Sequence, residues 1–247
     1  MELQEFFSQN QRVALAFSGG TDSAYLLYAA RKAGTQVAAY FIKTFFQPNF
    51  ELKDAQRLSA ELGVELTVLE VDVLADENVA ANPNNRCYYC KTTLFRRLCK
   101  RAAADGYPLV IDGTNASDDA EDRPGMWALR ELGIRSPLRE LGITKAEVRR
   151  RSREAGLFTW DKPAYACLAT RIPTGEQITC EKLQRVEEAE KALFSLGFSN
   201  FRVRLLGEHA RLQLPVEQME RVIREHTRIQ DELAPWFDSV LLDLQAR

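Results

Sequence analysis

The first half of the chain alternates two hydrophobic patterns: short continuous apolar runs, and longer stretches whose apolar residues recur every three or four positions. Val13-Ala14-Leu15-Ala16-Phe17 is one such run, and residues 24–33 form a helical stretch just behind it. The alternation continues as a strand over 36–42, a helix over 51–62, a strand over 64–71, a helix over 92–104 and a strand over 109–113 ending in Asp112-Gly113. Apolar strands separated by helices predict an α/β domain, a parallel sheet covered on both faces. The polar segment 114–133, punctuated by Pro124-Gly125, reads as an active-site loop with a short helix, and 144–155 reads as a capped helix closed by Gly156. A long loop, 160–175, follows. Beyond it the rhythm changes to a helix over 180–196 ended by Gly197, strands over 201–206 and 210–214, a helix over 216–233 and a last strand over 239–244. That is an α+β pattern, so we expect two domains, 1–175 and 176–247, with the boundary in the loop near 173–179.

Between the first strand and its helix lie Ser18, Gly19, Gly20, Thr21, Asp22 and Ser23. Two glycines at a strand end let backbone N–H groups approach an anion, and the helix N-terminus adds the favourable end of its dipole. No Gly-Lys-Ser/Thr ending follows, so this is not a Walker A loop and has no lysine of its own for the β and γ phosphates. The alternative is an ordinary Gly-rich turn with a Ser or Asp helix cap. The six residues in strand-loop-helix context favour phosphate binding, and they resemble the SGGxDS signature of the PP-loop pyrophosphatases. That resemblance implies cleavage of ATP between its α and β phosphates. In open parallel sheets ligands bind beyond the carboxyl ends of strands, near a topological switch point. The loop and the segment Asp112, Gly113, Thr114, Asn115 both sit at such ends and are expected to face one nucleotide, with Asp22 and Asp112 as candidate magnesium or ribose partners.

Composition narrows the class. In 247 residues, 45% hydrophobic and 28% charged, nothing suggests disorder, and no apolar stretch approaches the ~20 residues of a membrane span. The acidic, amphipathic start, Met1 to Phe7, does not read as a signal peptide, and we expect a cytoplasmic enzyme. A net charge of −2 gives no general pull toward nucleic acid, and Arg149-Arg150-Arg151 with Arg153 reads as the solvated side of a helix. The five cysteines are expected to be reduced, metal-bound or catalytic rather than paired in structural disulfides.

Three of those cysteines carry the second signal. Cys87 and Cys90 form a C-x-x-C in what reads as a Pro- and Asn-rich loop, residues 82–91, and Cys167 follows in the 162–175 block. Two thiolates at that spacing can bind zinc, share an iron-sulfur cluster, form a redox disulfide or do nothing together. A four-ligand zinc site lacks a fourth candidate, since His209 and His226 belong to the C-terminal pattern, whereas three cysteines suffice for a 4Fe-4S cluster with one open iron. Cys99 on a helix and Cys180 at a helix start read as filler or surface residues.

Taken together, SGGTDS, Asn82-Pro83 through Cys90-Lys91, Asp112-Gly113-Thr114-Asn115 with Arg123-Pro124-Gly125, and the block from Lys162-Pro163 through Cys167 to Gly175 resemble the LarE-type ATP-dependent sulfur transferases. The likeness continues through Ala189-Glu190-Lys191, Leu196-Gly197-Phe198, Arg202-Val203-Arg204 and Ala210-Arg211-Leu212. It implies a PP-loop ATP pyrophosphatase domain, adenine nucleotide alpha hydrolase-like, followed by a smaller α+β domain for substrate and oligomerisation. It also implies use of ATP and Mg2+ to adenylate a carboxylate of a pyridinium biscarboxylic acid mononucleotide, displacement of AMP by sulfur, and a role in making a nickel-pincer nucleotide cofactor. By the same resemblance Arg202 and Arg204 bind the substrate phosphate, which two arginines on one strand face also allow, although a solvated sheet face would look alike. Glu190 matches an acidic position near the metal or phosphate site, while Gln213 stands where some members have an acid. The family contains a sacrificial design, in which the cysteine matching Cys167 gives up its sulfur, and a cluster design. The presence of Cys87, Cys90 and Cys167 favours the 4Fe-4S cluster, with an unidentified sulfur donor. Members form hexamers, so a homo-oligomer is expected.

The runner-up is an iron-sulfur tRNA thiolase, which would need a basic RNA-gripping surface that the sequence does not display. An amide-forming ligase would leave the cysteines without work and would need an ammonia source such as a glutaminase domain, which we do not expect here. A nucleotide-binding scaffold without catalysis is the non-enzymatic alternative.

Overall fold

The computed structural model describes residues 2–118 and 123–247. In chain order the elements are α1 (Leu3–Gln9), β1 (Arg12–Ala16), α2 (Thr21–Lys32), β2 (Gln36–Lys43), α3 (Asn49–Glu61), β3 (Leu66–Glu70), α4 (Glu77–Ala80), α5 (Arg86–Ala104) and β4 (Val110–Ile111). There follow α6 (Pro124–Glu131), α7 (Pro137–Glu140), α8 (Lys145–Glu154), a 3-10 turn (Leu168–Arg171), α9 (Cys180–Ser195), β5 (Arg202–Leu206), β6 (His209–Gln213), α10 (Val216–Arg224), α11 (His226–Leu233) and β7 (Ser239–Leu242). They divide into two compact units: the chain up to Val73 with Asn85–Ala164, and Leu74–Asn84 with Tyr165–Arg247. Among the described residues no helix is long and apolar enough to cross a membrane.

The first unit is the expected α/β layer structure. Its parallel sheet has the order β3-β2-β1-β4, with Leu15 of β1 opposite Ile111 of β4. Val13, Ala14 and Leu15 are all fully buried, as in a strand covered on both faces, and Val13 and Leu15 pack among Phe6 and Phe7 of α1, Leu26, Leu27 and Ala30 of α2, and Leu58 of α3. The chain steps outward from β1 to β2 to β3, then returns to the other side of β1 for β4. The topological switch point therefore lies between β1 and β4.

The second unit holds a three-stranded sheet, β5-β6-β7, with β5 and β6 antiparallel and β6 and β7 parallel. Its core is built from Leu183, Val186, Ala189 and Leu193 of α9 with Val203, Leu205, Ala210 and Leu212 of the sheet. The expected single helix over 216–233 is two helices, because Glu225 leaves the helical basin at φ −98°, ψ 16°. The Glu225 carboxylate is held by Arg221 Nε at 2.7 Å. Segment 74–84 joins this unit through backbone bonds: Gly175 N donates to Asn82 O and Ile178 N to Ala80 O, both at 2.8 Å. Asn82 is 1% exposed, and its Nδ2 donates to Pro173 O at 2.8 Å. The two compact units thus meet in the chain at 164/165, with 74–84 taken from the first half, whereas the hydrophobic rhythm changes near 175.

The C-x-x-C pair differs from expectation. Cys87 and Cys90 lie in the first turns of α5, not in a loop. Pro83, Asn84 and Asn85 punctuate the chain before the helix, and Arg86, Leu94, Phe95, Leu98 and Ala102 form its buried face.

Candidate functional site

The phosphate loop follows β1 directly, and its backbone requires glycine. Gly19 has φ +69°, and a Cβ there would lie 3.0 Å from Ala55 N and 3.1 Å from Ala55 Cβ on α3. Ser18 Oγ and Ser23 Oγ are 3.1 Å apart, Ser18 N donates to Ser23 Oγ at 3.3 Å and Gly20 N donates to Ser18 Oγ at 3.3 Å, so the loop closes on itself. Gly20 occupies the N-cap of α2 and brings no side chain to the first-turn amides, which leaves them oriented for an anion. Thr21 is buried and donates its hydroxyl to Thr159 O at 2.8 Å, an anchor for the loop rather than an open contact.

The second strand end meets the loop at the switch point. A Cβ on Gly113 would lie 2.9 Å from Ser23 N and 3.2 Å from Ser23 Cα, so the chain leaving β4 passes against the first turn of α2 and only glycine fits. Asp112 is 7% exposed and internally satisfied. Its Oδ1 accepts from Ser136 Oγ at 2.6 Å and Thr114 N at 3.3 Å, and its Oδ2 from Thr114 Oγ1 at 2.5 Å. It shapes this turn, whereas Asp22 still has an oxygen to offer. Asp22 Oδ2 accepts from Lys145 Nζ at 2.6 Å, and Oδ1 is buried without a hydrogen-bond partner among the described residues. Burial pushes the Asp22 carboxyl above the usual range; Lys145 opposes the rise and Asp118 adds to it. An orphaned carboxylate oxygen beside a phosphate loop fits a magnesium ion, a hard cation that takes oxygen ligands.

In the second unit the structure gathers Cys167 with a set of arginines. Arg171, 1% exposed, donates from Nη1 to Ala166 O at 2.6 Å, Cys167 O at 3.3 Å and Thr170 Oγ1 at 3.0 Å. Its Nε and Nη2 bind the two oxygens of Glu190 at 2.8 and 3.1 Å. Glu190 Oε1 also accepts from Val203 N at 3.1 Å, and Oε2 from the Tyr165 hydroxyl. Glu190 is thus 1% exposed with both oxygens engaged, an internal counter-ion for Arg171 that fixes the turn bearing Cys167.

Arg202 and Arg204 share one face of β5, alternating with buried Val203 and Leu205. Arg204 donates to Thr170 O at 2.8 Å and to Gln213 Oε1 at 3.2 Å, while Arg202 Nε is buried with no hydrogen-bond partner among the described residues. Burial, then the charge of Arg171, depresses the pKa of Arg202, and burial, then Arg202, depresses that of Arg204. Arg247, which the sequence pattern did not single out, is depressed in the same way by burial and then Arg202. Mutually repelling guanidiniums form a field that an anion would relieve, and the Cys167 thiol lies within its electrostatic reach.

None of the five cysteines is in a disulfide. Cys87 and Cys90, three apart on α5, face the same side; Cys87 is exposed and Arg86 Nη2 stands 3.9 Å from its Sγ. Gly125 at the start of α6 permits close packing there, since a Cβ would lie 3.0 Å from Lys91 Cδ and 3.6 Å from Cys87 Cβ. Part of the expected active-site loop, residues 119–122, lies outside the described residues. Cys99 is half-buried and burial pushes its thiol up; Cys180 is exposed at the start of α9. Among the described residues no group of three or more His, Cys, Asp or Glu side chains is arranged to hold a metal ion. The helical pair fits two thiolate ligands.

The sequence singled out the loop and Cys167 as candidates but gave no separate role to Lys145, Lys162, Tyr165, Arg171 or Ser136, which the structure places around them. Lys162 Nζ donates to Asp54 Oδ2 at 2.6 Å and to Gly19 O at 3.4 Å. Their only local signals were a position just inside the Thr144 cap for Lys145 and membership of the 162–175 block for Lys162, Tyr165 and Arg171.

A family model described as queuosine biosynthesis protein QueC matches residues 12–88, which include the phosphate loop. An uncharacterized protein of Synechocystis sp. is 43% identical over 225 residues, covering 90% of this chain and 84% of that protein. The pyridinium-3,5-bisthiocarboxylic acid mononucleotide synthase of Lactiplantibacillus plantarum is 35% identical over 237 residues, covering 95% of this chain and 86% of that enzyme. A tRNA-specific 2-thiouridylase of Fervidobacterium nodosum is 28% identical over 126 residues, 41% of this chain and 36% of that enzyme.

Proposed function

The chain belongs to the LarE-type ATP-dependent sulfur transferases of the PP-loop superfamily, and from that premise we propose that it converts a carboxylate of pyridinium-3,5-biscarboxylic acid mononucleotide to a thiocarboxylate, for synthesis of a nickel-pincer nucleotide cofactor. The observation that carries the reading is the joining of the SGGTDS loop to the β4 strand end, where Gly113 backs onto Ser23. Ser18, Gly19, Gly20 and Ser23 with the α2 amides cradle the pyrophosphate part of ATP, Thr21 anchors the loop, and Asp22 offers an oxygen to Mg2+. Asp112 holds Thr114 and the turn beside the nucleotide.

A substrate carboxylate oxygen attacks the α-phosphorus of ATP; the bond to the β-phosphate oxygen breaks and pyrophosphate leaves. The acyl-adenylate has a good leaving group where the carboxylate had a poor one. A sulfur nucleophile then attacks the acyl carbon, AMP departs with the bonding pair, and the carbon–sulfur bond remains. Arg202 and Arg204 bind the mononucleotide phosphate through guanidinium forks suited to it.

For the sulfur source we favour a 4Fe-4S cluster on Cys87, Cys90 and Cys167, supported by the presence of all three thiols; such a cluster would supply a sulfide on its open iron. A specific observation favours a second reading: Cys167 sits in the arginine field, so it can act alone as a consumed donor. The tRNA thiolase, the runner-up on sequence, falls behind both readings, since the thiouridylase relative is 28% identical against 35% for the mononucleotide synthase. We place the enzyme in the cytoplasm as a homo-oligomer, a hexamer by family likeness.

The test is carboxylate-dependent exchange between labelled pyrophosphate and ATP. Exchange that requires the pyridinium dicarboxylate, with AMP as the nucleotide product, is expected. ADP and inorganic phosphate as products, or exchange stimulated by tRNA instead, would overturn the reading.

A further inference from the structure

A loop that holds pyrophosphate without a lysine of its own leaves a charge to be met. The departing group carries several negative charges, and one helix terminus offers the equivalent of roughly half a positive charge. Two ammonium groups reach the loop from outside it. Lys145, the first residue of α8, places Nζ 2.6 Å from Asp22 Oδ2 in the first turn of α2. Lys162 places Nζ 3.4 Å from Gly19 O, at the other end of the loop, and 2.6 Å from Asp54 Oδ2.

Both lysines come from fixed backbone. The Lys145 amide donates to Ser117 Oγ at 3.0 Å, and Thr144 caps α8 by accepting from Glu147 N. The turn bearing Lys162 is tied to the loop by the Thr21 hydroxyl on Thr159 O, and it is braced by Lys162 N on Thr159 O at 3.2 Å and Arg149 Nη2 on Lys162 O at 3.2 Å. Each ammonium rests on a carboxylate. An ammonium has three donors on a flexible stem, so it can keep its carboxylate and still donate to a phosphate oxygen.

We infer that Lys145 and Lys162 are the cationic contacts to the pyrophosphate group, supplying from outside the loop what a Walker lysine supplies from within. The inference rests on the ATP-cleaving reading of the loop. Its consequence is selective: the two lysines hold the part of ATP that leaves as pyrophosphate, and AMP is bound without them.

Binding of inorganic pyrophosphate and of AMP is measured by calorimetry on the full chain, for wild type, K145M, K162M and the arginine variants K145R and K162R. The measurements are made with magnesium and with a chelator. Each methionine variant is expected to bind pyrophosphate about 10- to 100-fold more weakly, the loss for one charged hydrogen bond. AMP affinity is expected to stay within about twofold, and the arginine variants to recover most of the pyrophosphate affinity. Unchanged pyrophosphate binding would overturn the inference. So would a parallel loss of AMP affinity, which marks a deformed loop, or a loss confined to magnesium-containing solution, which marks an effect through Asp22. Wild-type protein that binds neither pyrophosphate nor ATP would defeat the ATP-cleaving reading itself, a separate failure. Should a methionine variant not fold, the arginine variants with their positive charge kept, set against K145Q and K162Q, make the same comparison.

Discussion

Asp22 keeps a charged oxygen in a place where burial disfavours the charge. Its folded pKa is raised above the ordinary value, so the folded state holds the proton more tightly than the unfolded one. The associated stabilisation is complete below the ordinary carboxylate pKa and is lost as pH rises through the folded value. At neutral pH the ionised Asp22 is therefore a cost to stability. D22N is expected to melt at or above the wild-type temperature at pH 7, with the difference shrinking as pH falls through the Asp22 pKa, while pyrophosphate exchange falls about 10²- to 10³-fold, the scale for losing one electrostatic contact at a reacting phosphate. A clear drop in the melting temperature at pH 7 would contradict the assignment of Asp22 as a destabilised, functional carboxylate. Glu190 is the opposite case. With Arg171 and Glu190 each 1% exposed, E190Q leaves a buried charge uncompensated and is expected to cost about 3–5 kcal/mol in denaturant unfolding. Loop residues Ser18 to Ser23 were legible in the sequence because their chemistry is made by contiguous backbone. Lys145 and Lys162 were not, because they meet Asp22 and Gly19 across separations of 123 and 143 residues.

At the level of elements, the β1-loop-α2 unit and the β4 end form one joint. Gly113 is its hinge point: alanine there would put Cβ 2.9 Å from a backbone nitrogen that has no side-chain freedom to yield. G113A is expected to lose about 1–3 kcal/mol of stability, the usual cost of overpacking, and to weaken ATP binding along with it. An unfolding midpoint and an ATP affinity both equal to wild type would remove the joint from the account. Most of the parallel unit was readable from its hydrophobic rhythm, since a strand buried on both faces must be apolar throughout. The start of α5 was not. Asn and Pro before Cys87 mark the end of a loop, and the side that buries Arg86 gives little apolar signal in the first two turns. The break between α10 and α11 was equally hidden, because neither glycine nor proline marks Glu225.

For the whole molecule, the sulfur source decides how often one chain can work. Protein purified without oxygen is expected to contain about four iron and four acid-labile sulfide per chain if Cys87, Cys90 and Cys167 hold a cluster. Iron-free protein that cannot be reconstituted, together with loss of sulfur from Cys167 after one turnover, would establish the consumed-cysteine design instead. The change from βα rhythm to α+β pattern was visible in the chain, but the allegiance of 74–84 was not, since it rests on backbone bonds to 175 and 178 that leave no hydrophobic signature. The division into a PP-loop domain, 1–175, and an α+β substrate and oligomerisation domain, 176–247, stands as a proposal. The most direct measurement is mass spectrometry of the pyridinium dicarboxylate mononucleotide after incubation with enzyme, MgATP and a sulfide source. The expected product has one carboxylate oxygen replaced by sulfur and appears with one AMP and one pyrophosphate per sulfur. Unaltered substrate alongside AMP, or sulfur incorporation without ATP cleavage, would contradict it.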